Sequence, residues 1–178
     1  MYLLTGLDAK IFHTINSEWA NRFFDVAMPI VSEFGSGEVL FAVSLLLAVL
    51  RRKKDGGALS LLLFAGLTVT YYSVYVIKVL VGRPRPSVLF PDANILIDEK
   101  SFSFPSNHSA QAFMAATVLS AAFGRWRVPL FTLAALVGYS RIYIGVHFIS
   151  DVICGAVAGM AVGYGMLKMA ASTGLSER

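Results

Sequence analysis

Four stretches of this chain are apolar over close to the length that a helix needs to cross a bilayer, about 20 residues. They are Leu59 to Val81, His108 to Phe123, Val128 to Ile144 and His147 to Met169. A fifth apolar run, Val39 to Leu50, reaches that length only if its helix extends back past Glu38 and Glu33. Ahead of it, Leu4, Leu7, Ile11, Phe12, Ile15 and Trp19 recur at helical spacing among Asp8, Lys10, Asn16 and Glu18. That pattern predicts a helix lying along the membrane interface. The expectation is therefore an all-α, polytopic transmembrane bundle of about five spans with an N-terminal interfacial helix. Residues 1–178 read as one domain, with no internal repeat, low-complexity tract or linker.

Composition supports the membrane reading. Of 178 residues, 56% are hydrophobic and 15% charged, and the mean hydropathy is +0.67, too apolar for an ordinary soluble domain. The net charge of +4 does not point to nucleic acid, because the basic residues form no continuous face. Cys154 is the sole cysteine and falls in an apolar segment, which excludes an intramolecular disulfide and a thiolate metal cluster; core packing is its expected role. Met1 to Lys10 lack the basic leader and apolar run of a removable signal peptide.

Charge sets the orientation. Arg51-Arg52-Lys53-Lys54 and the pair Arg125 and Arg127 are expected on the cytoplasmic side by the positive-inside rule. Alternating spans then put Lys168 and Arg178 inside as well, and residues 82–107 and 145–146 outside. Lys78, Arg85 and Arg141 remain on the outer side against the rule, and cations kept there need another explanation. Each also has a plain structural reading: Lys78 could snorkel to the interface, Arg85 between prolines could belong to an ordinary loop, and His147 with Asp151 could be a structural pair. Asn107-His108-Ser109 fits a glycosylation sequon. Tyr71, Tyr72 and Tyr75 read as packing.

Together these residues carry a recognisable order: Lys78-Val-Leu-Val-Gly-Arg-Pro-Arg85-Pro86, then Pro105-Ser106-Asn107-His108, then Ser140-Arg141-Ile-Tyr-Ile-Gly-Val-His147-Phe-Ile-Ser-Asp151. The set resembles the three-part signature of the type 2 phosphatidic acid phosphatase superfamily. Asn107 stands where that family most often has Gly, and five spans compare with six in many members. The resemblance implies a metal-independent phosphatase acting on a lipid phosphate or diphosphate through a phosphohistidine. It assigns His147 as nucleophile, and His108 then serves as the general acid for the departing lipid oxygen.

The residue types suit that chemistry. His147 and Asp151 are four apart on an expected helix and so share a face; a carboxylate on one ring nitrogen leaves the other free. Transferred phosphoryl groups spread charge over their oxygens, and catalysis rests on positioned donors and cations. Arg85 and Arg141 offer planar contacts and Lys78 a point charge. Ser106 is expected to cap the helix that starts near His108 and, with Asn107, to aim donors at the anion. Asp92, Asp98 and Glu99 show no metal-ligand spacing, and no cofactor is called for. Gly155, Gly159 and Gly163 let helices approach closely, within the bundle or in a homodimer.

The partners expected are a phosphorylated membrane lipid and the bilayer. The small size and basic rim suit the inner membrane of a bacterial envelope, with the site facing the periplasm or cell exterior. Undecaprenyl diphosphate, lipid A 1-phosphate and phosphatidylglycerol phosphate all fit. A transporter or channel would also hold intramembrane charges, but the matching interrupted halves it needs are missing. The related vanadium haloperoxidases share the anion-binding signature on soluble bundles, which this apolar chain does not match.

Overall fold

A computed structural model of the protein describes residues 6–50 and 56–172, all helices and connecting loops. Leu4, the basic run Arg51 to Lys54 and Arg178 lie outside the described residues.

The N-terminal helix α1 (Gly6–His13) continues into a π-helical turn, Thr14–Glu18. Leu7 and Trp19 face outward, as expected of an interfacial helix. Of its polar residues Lys10 and Glu18 are exposed as expected, but Asp8 and Asn16 are not. Asp8, Phe12, Ile15 and Asn16 are all buried, at the four- and three-residue steps of a single helical face. Asn16 donates from Nδ2 to the Tyr143 carbonyl at 2.7 Å and to that of Asn94 at 2.8 Å. The segment is thus docked on the bundle by buried polar bonds.

The fifth apolar run does extend back past Glu33, as two helices: α2 (Arg22–Glu33) and α3 (Gly37–Leu50), bent by 50° at the break between them. Asn21 caps α2 by accepting from the Phe24 amide at 3.0 Å. Gly35 lies at the bend, where an added Cβ would come within 2.4 Å of Val137 Cγ1 and 3.0 Å of the His108 carbonyl oxygen. Only glycine lets the chain turn this close to the bundle.

The remaining helices are α4 (Gly56–Val81), the single turn α5 (Pro86–Leu89), α6 (Asn107–Ala122), α7 (Arg127–Tyr143) and α8 (Ile149–Ser172). By length and composition α4 and α8 qualify as spans alone, and α2 with α3 makes a third candidate. At 16 and 17 residues, α6 and α7 are about 25 Å long, a little short of the roughly 30 Å hydrocarbon core.

Helix α6 is the axis of the fold, buried almost continuously from Ser109 to Val118. It packs on α4, α7 and α8. Along α8, Cβ atoms added at Gly155 and Gly159 would fall 2.4 Å from the Ser106 carbonyl oxygen and 2.0 Å from that of Ala110. The glycine row is therefore taken up within the chain, by α6. Cys154 is exposed on the outer side of α8, not packed in the core as its apolar surroundings suggested; the glycines hold the inner face.

Candidate active site

The three motif segments meet at one end of the bundle. Lys78 lies in the last turn of α4, Arg85 at the N-cap of α5, Asn107 and His108 in the first turn of α6, and Arg141 in the last turn of α7. His147 precedes α8 and Asp151 lies in its first turn. Gly145, at φ 88°, makes the reversal between α7 and α8, a conformation that favours glycine. The His147 amide there bonds the Arg141 carbonyl at 3.2 Å.

His147 is held from both sides. Its Nδ1 is 3.4 Å from Asp151 Oδ2 and its Nε2 is 3.4 Å from Arg85 Nη1. With the proton on Nδ1, facing the carboxylate, Nε2 carries the lone pair. Asp151 also accepts from the Phe148 amide at 2.9 Å, from Arg83 Nη1 at 2.5 Å, and from the Ser103 hydroxyl. So many donors hold the carboxylate in one orientation.

A pocket of about 250 Å³ opens in front of this histidine. Lys78, Arg85, Asn107, His108 and His147 line it, joined by Glu99, Ser101 and the α4 residues Tyr71, Val74 and Tyr75. Tyr71 and Tyr75, which the sequence pattern placed in packing, are exposed along its rim. Lys78 Nζ donates to the Phe102 carbonyl at 2.6 Å and reaches that of Ser103 at 3.3 Å. Arg85 is braced by the Ser101 carbonyl at 2.6 Å and the Val146 carbonyl at 2.9 Å.

Ser106, Arg141 and Asp151 stand behind this lining. Ser106 caps α6 as anticipated, but its hydroxyl accepts from the Ser109 amide at 3.4 Å and the Ser109 hydroxyl at 3.1 Å, so it is turned into the helix and not toward an anion. Arg141 donates to Ser32 Oγ at 2.6 Å and pairs with Glu99.

Four residues at the site escaped the sequence reading: Asp8, Arg83, Glu99 and Ser103. The Glu99 carboxylate lies between two guanidinium groups, 2.6 Å from Arg85 Nη2 and paired also with Arg141. Burial opposes its ionisation, but Arg141 and then Arg85 prevail and hold its pKa down to about 2. A carboxylate bound this way occupies the position that two arginines would offer to a phosphate. Arg83 pairs with both Asp151 and Asp8. The doubled arginine of Gly82-Arg83-Pro84-Arg85 was the available sequence signal. Nothing local marked Asp8. Among the described residues, no group of three or more His, Cys, Asp or Glu side chains converges as a metal ligand set.

The chain is 42% identical to a lipid A 1-phosphatase of Porphyromonas gingivalis over 65 residues, 34% of this chain but only 15% of that protein. It is 29% identical to an undecaprenyl-diphosphatase of Sulfolobus acidocaldarius over 169 residues, covering 89% of this chain and 76% of the relative. Among solved structures, LpxE of Aquifex aeolicus superposes with a TM-score of 0.83 at 35% identity, over 94% of this chain and 99% of that one. The PAP2 superfamily profile matches residues 58–173, a stretch that contains all three motif segments, and the chain belongs to that superfamily.

Proposed function

We propose that this protein is a metal-independent lipid phosphate phosphatase, a single membrane-embedded domain over residues 1–178 that works through a phosphohistidine on His147. The observation that carries the reading is the clamping of His147 between Asp151 and Arg85 at the floor of a pocket that also holds Lys78 and His108.

Phosphorus brought against Nε2 of His147 forms a P–N bond as its bond to the lipid oxygen breaks, and His108 delivers a proton to that oxygen. Water then attacks the phosphohistidine, giving its proton to His108, and inorganic phosphate leaves. Asp151 stabilises the positive charge that His147 acquires at attack. Lys78 and Arg85 face the phosphoryl oxygens from the pocket wall, Asn107 adds an amide, and Arg141 and the Ser106-capped start of α6 support them from behind.

The outward-facing Tyr71 and Tyr75 at the rim support a substrate whose chain stays in the bilayer. The relatives support undecaprenyl diphosphate or lipid A 1-phosphate as candidates, and phosphatidylglycerol phosphate fits the same lipid phosphate chemistry. Five spans, in an inner membrane with the pocket on the extracytoplasmic side, satisfy the loop charges.

Purified protein in chelator is mixed with a ³²P-labelled lipid phosphate and quenched within one turnover. Label on His147, and its loss with turnover in a folded His147→Ala variant, is the expected result. Near-normal phosphate release by His147→Ala would sink the mechanism.

A further inference from the structure

Asp8 is remote in sequence from the three motif segments and outside the matched stretch, yet it is only 2% exposed. Its Oδ1 accepts the Ser150 amide at 3.0 Å, while Oδ2 accepts the Ser150 hydroxyl at 2.7 Å and Arg83 Nη2 at 2.8 Å. Ser150 is the second residue of α8, where amides have no partner inside their own helix. Asp8 thus caps α8 from another helix, beside Asp151.

Arg83 carries the connection onward. Its Nη1 donates to Ser150 Oγ at 2.7 Å and to Asp151 Oδ1 at 2.5 Å, and its guanidinium carbon lies 4.5 Å from the centre of the Phe148 ring. Asp151 in turn faces His147 Nδ1.

We propose that Asp8 is a positioning residue for the phosphatase reaction, acting through Arg83 on Asp151 and so on His147; the inference rests on the role of His147 given above. Two effects combine. The cap fixes the start of α8, and with it the distance between Asp151 and the imidazole. Sharing Arg83 between two carboxylates also leaves Asp151 more negative than a one-to-one pair would. That favours the positive charge that builds on His147 as its other nitrogen bonds to phosphorus.

The test is a double-mutant cycle on the full chain in detergent, with Asp8→Asn, Arg83→Gln and the double variant. Asp8→Asn is expected to lower kcat about tenfold or more with KM held within about twofold, as supporting contacts behind a reacting group do. The rate of label transfer to His147 falls in step. The double variant is expected to be no worse than Arg83→Gln alone, because the residues act in series.

Asn16→Ala serves as the structural control, since it loosens the same N-terminal segment without touching Arg83. The proposal is overturned if Asp8→Asn loses no more kcat than Asn16→Ala at equal loss of melting temperature, or if the two cycle losses multiply. Should Asp8→Asn yield no folded protein, wild-type kcat in Arg83→Gln overturns it. Absence of label on wild-type His147 would instead remove the nucleophile assignment, while the kcat cycle still decides the coupling of Asp8 to Arg83.

Discussion

Glu99 is the anion shared by Arg85 and Arg141, and its depressed pKa makes it a source of acid lability. A carboxyl held below its ordinary value stabilises the fold in full above the unfolded value of 4.5 and loses that contribution as pH falls toward about 2. The melting temperature is therefore expected to drop through this window. Glu99→Gln should flatten the drop between about pH 4.5 and about pH 2. Parallel melting curves for the two proteins would remove Glu99 as a contributor. No local pattern announces this pairing, because Glu99 and Arg141 are 42 positions apart and no helical period connects them.

At the scale of elements, the seam between α6 and α8 decides how His108 sits relative to His147 and Asp151. Gly159 presses on the Ala110 backbone, whereas a Cβ at Gly165 would meet nothing within 4 Å. Gly159→Ala forces the helices apart and is expected to destabilise by about 1–3 kcal/mol, as overpacking does, with a parallel fall in kcat. Gly165→Ala is expected to be neutral or slightly stabilising. Equal melting temperatures for the two variants would show that the seam is slack. This contact was legible in advance as a row of small residues, and the Ser106 cap as a residue type at a helix start; the His147–Asp151 pair was read from helical spacing, although His147 lies just before α8 and not on it. The bend at Gly35, the burial of Asp8 and Asn16, and the outward turn of Cys154 were not legible, because each depends on which neighbour a helix meets.

For the molecule as a whole, the side of the membrane that holds the pocket decides which lipids can reach it. The loop charges predict that a single cysteine at Asp55, which lies outside the described residues, is protected from a membrane-impermeant thiol reagent on intact cells. One at Asp92 is expected to label, both in a Cys154→Ala background. The reverse pattern would place the site in the cytoplasm and remove the envelope lipids as substrates.

The carboxylate of Glu99 has one more consequence. At rest, Lys78, Arg83, Arg85 and Arg141 gather at one end of the bundle against Asp8, Glu99 and Asp151, so the cluster is close to electroneutral without any ligand. On the proposed mechanism, a phosphate arriving at Arg85 competes with Glu99 for that guanidinium, while Glu99 keeps its second partner, Arg141, behind the lining, and on departure the carboxylate regains both. Turnover by that route would be counter-ion exchange at Arg85, with Glu99 as the resting counter-ion. The tethered competitor opposes tight retention of the released phosphate, so charge sufficient for the chemistry does not make the site a phosphate trap.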